Sequence, residues 1–126
     1  MTSTKTILIV DDDPDIREYL STFFQDNGYA TETAKDGVEA SARVEQARPD
    51  LVALDITMPE KSGVRFYREM KEHPERKAIP IVIVTGVTDE FKRFISTRRQ
   101  VPPPEGYITK PVDLDKMLEI VRQLIG

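Results

Sequence analysis

Residues 7–14 decide the fold, because they join a short apolar run directly to a run of acids: Ile7-Leu8-Ile9-Val10-Asp11-Asp12-Asp13-Pro14. Four apolar residues in a row, without alternation, are typical of a strand buried on both faces, as in a parallel sheet covered by helices. Two later runs have the same character, Leu51-Val52-Ala53-Leu54 and Ile81-Val82-Ile83-Val84. We expect two weaker strands as well, an edge strand at 29–34 and a short last strand at 106–109.

Helical patterns fill the intervals between these strands. Apolar residues recur at helical spacing within 16–24, 38–47, 64–72, 89–99 and 114–125. Gly28 is expected to end the first helix, and Asp113 to cap the last. The order βαβαβαβαβα predicts an α/β fold, with a five-stranded parallel sheet between two layers of helices.

Composition bounds the function. The chain has 126 residues, a net charge of -4, one histidine and no cysteine. This length suits a single domain over residues 1–126. The absence of cysteine excludes thiolate metal sites and fits a cytoplasmic protein. No apolar run approaches the ~20 residues of a membrane span, and the net charge argues against general nucleic-acid binding.

The charge is unevenly distributed along the chain. Residues 1–60 carry thirteen acids against five bases, whereas residues 61–99 carry five acids against ten bases. Two interpretations stay open. The charges belong to solvated helix faces, or the basic flank attracts an acidic partner or a phosphate-bearing donor.

Residues with reactive side chains follow the strands at their carboxyl ends, where open α/β sheets bind ligands. Asp11 and Asp12 follow the first strand, Asp55 the third, Thr85 the fourth and Lys110 the fifth. Crowded carboxylates repel each other, and Mg²⁺ relieves this because it prefers oxygen ligands and binds carboxylates together with a phosphoryl group. One carboxylate could then act as a nucleophile and form an acyl phosphate, with the lysine and the hydroxyl contacting phosphoryl oxygens.

Asp13 has a simpler interpretation. It directly precedes Pro14, and proline is favoured in the first turn of a helix. We therefore expect Asp13 to cap the first helix rather than to bind a ligand.

Four motifs in this order resemble the receiver domain of two-component response regulators, the group that contains the chemotaxis response regulator. The matching stretches are residues 7–14, 49–59, 81–86 and 107–111. The resemblance covers nearly the whole chain and implies a flavodoxin-like fold with strand order 2-1-3-4-5. It also implies one receiver domain, with no output domain in this chain.

The resemblance implies a role for each acidic residue. Asp55 corresponds to the phosphoacceptor. Asp11 and Asp12 correspond to the acidic pair that holds Mg²⁺, for which Mn²⁺ could substitute. Asp55 and the backbone carbonyl of Thr57 would complete the metal site.

The remaining site residues are also implied by the resemblance. Thr85 and Lys110 would bind the phosphoryl group, beside the small residue Gly86. Tyr107 would be the aromatic switch that rotates when Thr85 moves. The bond between Lys110 and Pro111 is expected to be cis, which only a following proline makes accessible.

The implied function is signalling rather than enzymatic turnover. A histidine kinase or a histidine phosphotransfer protein would donate a phosphoryl group to Asp55 in a Mg²⁺-dependent step, and the domain would slowly dephosphorylate itself. The surface of the fourth predicted helix, the fifth strand and the fifth predicted helix would then change its affinity for an output protein. The domain would be a monomer or a phosphorylation-induced dimer.

The chain departs from the family pattern in one segment. The stretch from Thr85 to Lys110 is slightly longer than usual, and Pro103-Pro104-Glu105-Gly106 replaces a Gly-Ala-Asp-Asp-like turn. We therefore expect the fourth helix to be shortened, shifted or irregular.

Three other functions are alternatives to a phosphorylated receiver domain. A haloacid-dehalogenase-type phosphatase needs a second aspartate two residues after the nucleophile, where this chain has Thr57. A flavodoxin-like binding module needs a glycine- or hydroxyl-rich loop after the first strand, where three aspartates stand. A receiver-like interaction module that works without phosphorylation remains the main alternative.

Overall fold

The computed structural model describes residues 4–56, 62–86 and 104–126. The strands are β1 (Thr6–Val10), β2 (Ala30–Ala34), β3 (Leu51–Leu54), β4 (Ile81–Thr85) and β5 (Gly106–Thr109). The helices are α1 (Pro14–Asp26), α2 (Gly37–Gln46), α3 (Ser62–Glu72) and α4 (Leu114–Ile125). The helix predicted within 89–99 lies outside the described residues. Within these ranges, no helix combines the length and apolar character that a bilayer span requires.

All five strands pair in parallel, in the order β2-β1-β3-β4-β5. This confirms the predicted α/β fold and the edge position of β2. The central strands β1, β3 and β4 are the ones with continuous apolar sequence. Strand β2 begins at Ala30 rather than Tyr29, because the Tyr29 N–H donates to Phe24 O at the end of α1 instead of joining the sheet.

The sheet separates two apolar clusters, which makes the fold a three-layer sandwich. In β1, Leu8 and Val10 belong to the cluster that contains residues of α2 and α3, whereas Ile7 and Ile9 belong to the cluster that contains residues of α1 and α4. Successive side chains of a strand point to opposite faces, so a strand with two buried faces needs apolar residues at every position. This is the physical reason for the unbroken apolar runs.

Capping side chains and a glycine mark the ends of the helices. The Asp13 side chain accepts a hydrogen bond from Asp15 N–H at 2.9 Å, and the Asp113 side chain accepts one from Lys116 N–H at 3.2 Å. Gly28, with φ +92°, follows the end of α1. These three predictions are confirmed. Asp36, for which no role was predicted, caps α2 by accepting from Glu39 N–H, and this helix starts one residue earlier than predicted.

Candidate functional site

Backbone hydrogen bonds continue past the strand ends and bring the loops of the site together. Asp55 N–H donates to Val10 O at 2.9 Å, and Lys110 N–H donates to Thr85 O at 2.8 Å. The residue that follows β3 therefore lies beside the end of β1, and the residue that follows β5 lies beside the end of β4, at the carboxyl edge of the sheet, as expected from the sequence.

Three carboxylates converge at this edge. Asp11, Asp12 and Asp55 each offer one oxygen, and these atoms all lie within 4.8 Å of one another. Asp11 and Asp55 are buried, at 2% and 3% exposure, whereas Asp12 is exposed. The cluster thus has two carboxylates withdrawn from water and a third on the solvent side.

Lys110 bridges the two buried carboxylates. Its Nζ lies 3.0 Å from Asp11 Oδ2 and 3.3 Å from Asp55 Oδ2, and its side chain is 28% exposed. The bond from Lys110 to Pro111 is cis. The ammonium therefore sits between two acids that would otherwise repel each other.

The pKa values of this cluster reflect burial and pairing. Burial raises the pKa of the Asp11 carboxyl, although the hydrogen bonds from Asp13 N–H and Lys110 oppose that rise. For Lys110, burial favours the neutral amine, but the hydrogen bond to Asp11 and the charges of Asp55 and Asp11 outweigh it and raise its pKa. Lys110 is thus held as a cation, while Asp11 pays a desolvation cost that a bound cation would offset.

Thr85 contacts the other oxygen of Asp55. Its Oγ1 donates to Asp55 Oδ1 at 3.1 Å, and Thr85 itself is fully buried at the end of β4. The two oxygens of Asp55 therefore have different partners, a hydroxyl and an ammonium. A group attached to this carboxylate would have both a hydroxyl donor and a cation within reach.

The other predicted site residues lie nearby or outside the described ranges. Gly86 follows β4 directly and is half-buried. Tyr107 is paired with Ile83 in the sheet, is half-buried, and packs against the cluster that contains residues of α2 and α3. Thr57 lies outside the described residues.

The sequence did not reveal the role of Arg17. Its guanidinium Nη1 donates to the backbone oxygen of Asp11 at 2.8 Å. Asp11 Oδ1 also accepts from Asp13 N–H at 2.9 Å. The sequence did contain one indication of this contact. Arg17 lies in the first turns of the helix that follows the acidic run, close along the chain to Asp11.

The cluster suits a hard divalent cation. The three candidate ligands among the described residues are carboxylate oxygens, and Mg²⁺ is usually held by one or two carboxylates together with phosphate oxygens and water. A nucleophilic carboxylate, a hydroxyl and an ammonium at the same edge are the groups that phosphoryl transfer needs for positioning and charge neutralisation. The arrangement therefore matches an acyl-phosphate site better than a nucleotide pocket, which would present a glycine-rich loop.

Comparisons with known proteins agree with this geometry. The sequence profile of the response regulator receiver domain matches residues 7–122. The chain is 36% identical over 120 residues to Protein Rrf1 of Nitratidesulfovibrio vulgaris, covering 95% of this chain and 82% of Rrf1. It is 32% identical over 122 residues to the DNA-binding dual master transcriptional regulator RpaA of Synechocystis, covering 94% of this chain but only 48% of RpaA.

A solved structure gives the same result for the fold. The signal receiver domain of a signal transduction histidine kinase from Syntrophus aciditrophicus superposes with a TM-score of 0.86 at 31% identity, covering 97% of this chain and 90% of that one. The profile match, the sequence relatives and the strand order all indicate a receiver domain. The chain therefore belongs to the response regulator receiver domain family of two-component signalling systems.

Proposed function

We propose that Asp55 is the phosphoacceptor of a two-component phosphorelay. The observation that carries this proposal is the environment of the buried Asp55 carboxylate, which lies between the Thr85 hydroxyl and the Lys110 ammonium. Asp11 and Asp12 offer further carboxylate oxygens within 4.8 Å. Membership in the receiver family supports the same role.

The proposed donor is a phosphohistidine on a histidine kinase or on a histidine phosphotransfer protein. An oxygen of Asp55 attacks the phosphorus, a new P–O bond forms, and the P–N bond of the donor breaks. The bonding pair returns to the histidine nitrogen. The product is an acyl phosphate on Asp55.

Asp11, Asp12 and Asp55 would hold the Mg²⁺, or Mn²⁺ in its place, and the backbone carbonyl of Thr57 is proposed as a further ligand. The bound ion supplies charge neutralisation for the transferred group. Lys110 Nζ, which lies 3.0 Å from Asp11 Oδ2 and 3.3 Å from Asp55 Oδ2, would supply a second positive charge. The Thr85 hydroxyl donates to Asp55 at 3.1 Å and would donate to a phosphoryl oxygen in the phosphorylated form.

The proposed consequence is a shift between two conformations. Thr85 and Lys110 would turn toward the phosphoryl group, Gly86 would leave room beside it, and Tyr107 would act as the switch. The affected surface would comprise the predicted helix within 89–99, β5 and α4. An output protein in the cytoplasm would bind this surface. Slow autodephosphorylation would reset the domain. This chain spans about half of RpaA, so the DNA binding of RpaA is not part of the function proposed for this chain.

The test is the intact mass of the protein after incubation with acetyl phosphate, with and without Mg²⁺. We expect wild type to gain one phosphoryl group only when Mg²⁺ is present, and Asp55→Asn to gain none. Asp13→Asn is the matched control, because it removes the same charge from the same acidic region while asparagine still caps α1. This control should phosphorylate like wild type.

Two results would contradict the proposal. A mass gain that persists in Asp55→Asn would place the acceptor elsewhere. No gain in wild type, with Mg²⁺ binding demonstrated by calorimetry, would favour an interaction module that works without phosphorylation.

A further inference from the structure

We infer that Arg17 is a positioning residue for the acidic pair, an inference that rests on the metal site proposed above. Its guanidinium Nη1 donates to the backbone oxygen of Asp11 at 2.8 Å, and the side chain is half-buried. Among the residues that the structure describes, Arg17 therefore contacts the backbone of a proposed ligand rather than a carboxylate. It can influence a bound ion only through the conformation of the turn or through its own charge.

The turn between β1 and α1 is tied to Arg17 at two points. Besides the side-chain bond to Asp11 O, the backbone N–H of Arg17 donates to Asp13 O at 3.1 Å. Within the turn, Asp13 N–H donates to Asp11 Oδ1 at 2.9 Å. These bonds fix the residues on both sides of Asp12, which carries the exposed carboxylate of the cluster. Because α1 packs on the sheet, Arg17 couples the orientation of this turn to the rigid part of the fold.

The two ways in which Arg17 could act predict opposite results. A positive charge near a cation site disfavours the cation, so a purely electrostatic Arg17 would weaken Mg²⁺ binding, and its removal would tighten it. A positioning Arg17 holds the carboxylates in place, so its removal would loosen Mg²⁺ binding despite the lost repulsion. The sign of the change in the Mg²⁺ dissociation constant therefore separates the two roles.

The experiment measures the Mg²⁺ dissociation constant by isothermal titration calorimetry, which does not depend on phosphorylation. We expect Arg17→Met to raise it about tenfold, at the low end of the roughly 10–100-fold losses seen when residues that orient metal ligands are replaced. Arg17→Lys should also raise it, because the compact ammonium lacks the reach and the planar geometry of the guanidinium. Arg43→Met is the matched control, since it removes the same charge from the exposed face of α2, where Arg43 pairs with Glu32 at 3.8 Å.

Further readouts separate positioning from loss of folding. Thermal melts by circular dichroism should show Arg17→Lys folded at the temperature of the titration, so that the inference stays testable even if Arg17→Met is unstable.

Each contradicting outcome has its own meaning. If wild type binds Mg²⁺ and the Arg17 variants bind it as Arg43→Met does, or more tightly, the positioning role is wrong and the metal site stands. If wild type itself binds no Mg²⁺, the proposed metal site is wrong and the inference is overturned with it.

Discussion

The ion pair between Lys71 and Glu105 lies away from the carboxylate cluster, at the start of β5, the strand that precedes Lys110. Lys71 Nζ, at the end of α3, lies 2.6 and 2.8 Å from the two carboxylate oxygens of Glu105. Glu105 also accepts from Ile81 N–H at 2.8 Å and donates its own N–H to Ile81 O at 3.0 Å. One side chain thus connects the start of β5 to the start of β4 and to α3.

The two partners differ in burial, and this sets the expected energies. The Lys71 side chain is 2% exposed, whereas that of Glu105 is 30% exposed. Removing one partner of a fully buried pair costs about 3–5 kcal/mol, because the other charge is left uncompensated. For Glu105→Gln we expect about 2–3 kcal/mol, below the fully buried range of about 3–5 kcal/mol because the carboxylate is partly solvated. Lys71→Met should cost less, since Glu105 keeps its bond from Ile81 and can reach water.

Urea unfolding followed by circular dichroism measures these free energies. A double-mutant cycle adds the decisive comparison, because Lys71→Met removes the buried ammonium that makes Glu105→Gln costly. The double variant should therefore be more stable than Glu105→Gln alone. Lys77→Met, at an exposed position after α3, is the control for loss of a lysine charge. Strictly additive losses, or a Glu105→Gln loss as small as that of the control, would refute the reasoning.

Substitutions at three other positions have expected outcomes. Lys110→Met should slow phosphorylation but tighten Mg²⁺ binding in calorimetry, because the ammonium and the ion compete for oxygens of Asp11 and Asp55; looser binding would contradict this. Asp113→Ala should cost about 1 kcal/mol in urea unfolding and Asp113→Asn almost nothing, since asparagine caps as well; equal losses would argue against the cap. Gly28→Ala should cost roughly 1–2 kcal/mol, because its φ of +92° is strained for a residue with a Cβ; an unchanged midpoint would contradict this.

The sheet was predictable because its three central strands have short, continuous apolar sequences. Residues 7–10, 51–54 and 81–84 are apolar at every position, as a strand with two covered faces requires, and each run is too short for a buried helix. The site was predictable for a related reason. In a parallel sheet every carboxyl end lies at the same edge, so listing the residues after each strand already names Asp11, Asp55 and Lys110.

The contacts that sequence reasoning missed are long-range or run through the backbone. Lys71 and Glu105 are 34 residues apart, and lysine is seldom buried unless paired. No local pattern distinguishes Lys71 from the exposed lysines of the chain. Arg17 binds a backbone oxygen, which is present at every residue, so the sequence shows the position of Arg17 in the first turns of α1 but does not identify its partner. Helix starts were also displaced, as for α3, which begins at Ser62 rather than Val64, because end residues are the least constrained by apolar periodicity.

The most direct test of the central claim is to locate the phosphoryl group on the chain. Borohydride delivers two hydrides to the carbonyl carbon of an acyl phosphate: the first displaces phosphate and gives an aldehyde, and the second, followed by a proton from water, gives the alcohol of homoserine in place of the aspartate. After phosphorylation with acetyl phosphate and Mg²⁺, peptide mass spectrometry of the reduced protein should find homoserine at position 55 and aspartate at positions 11, 12 and 13. Homoserine at any of those three positions, or unmodified Asp55 in a protein that has gained a phosphoryl group, would contradict the assignment of Asp55 as the phosphoacceptor.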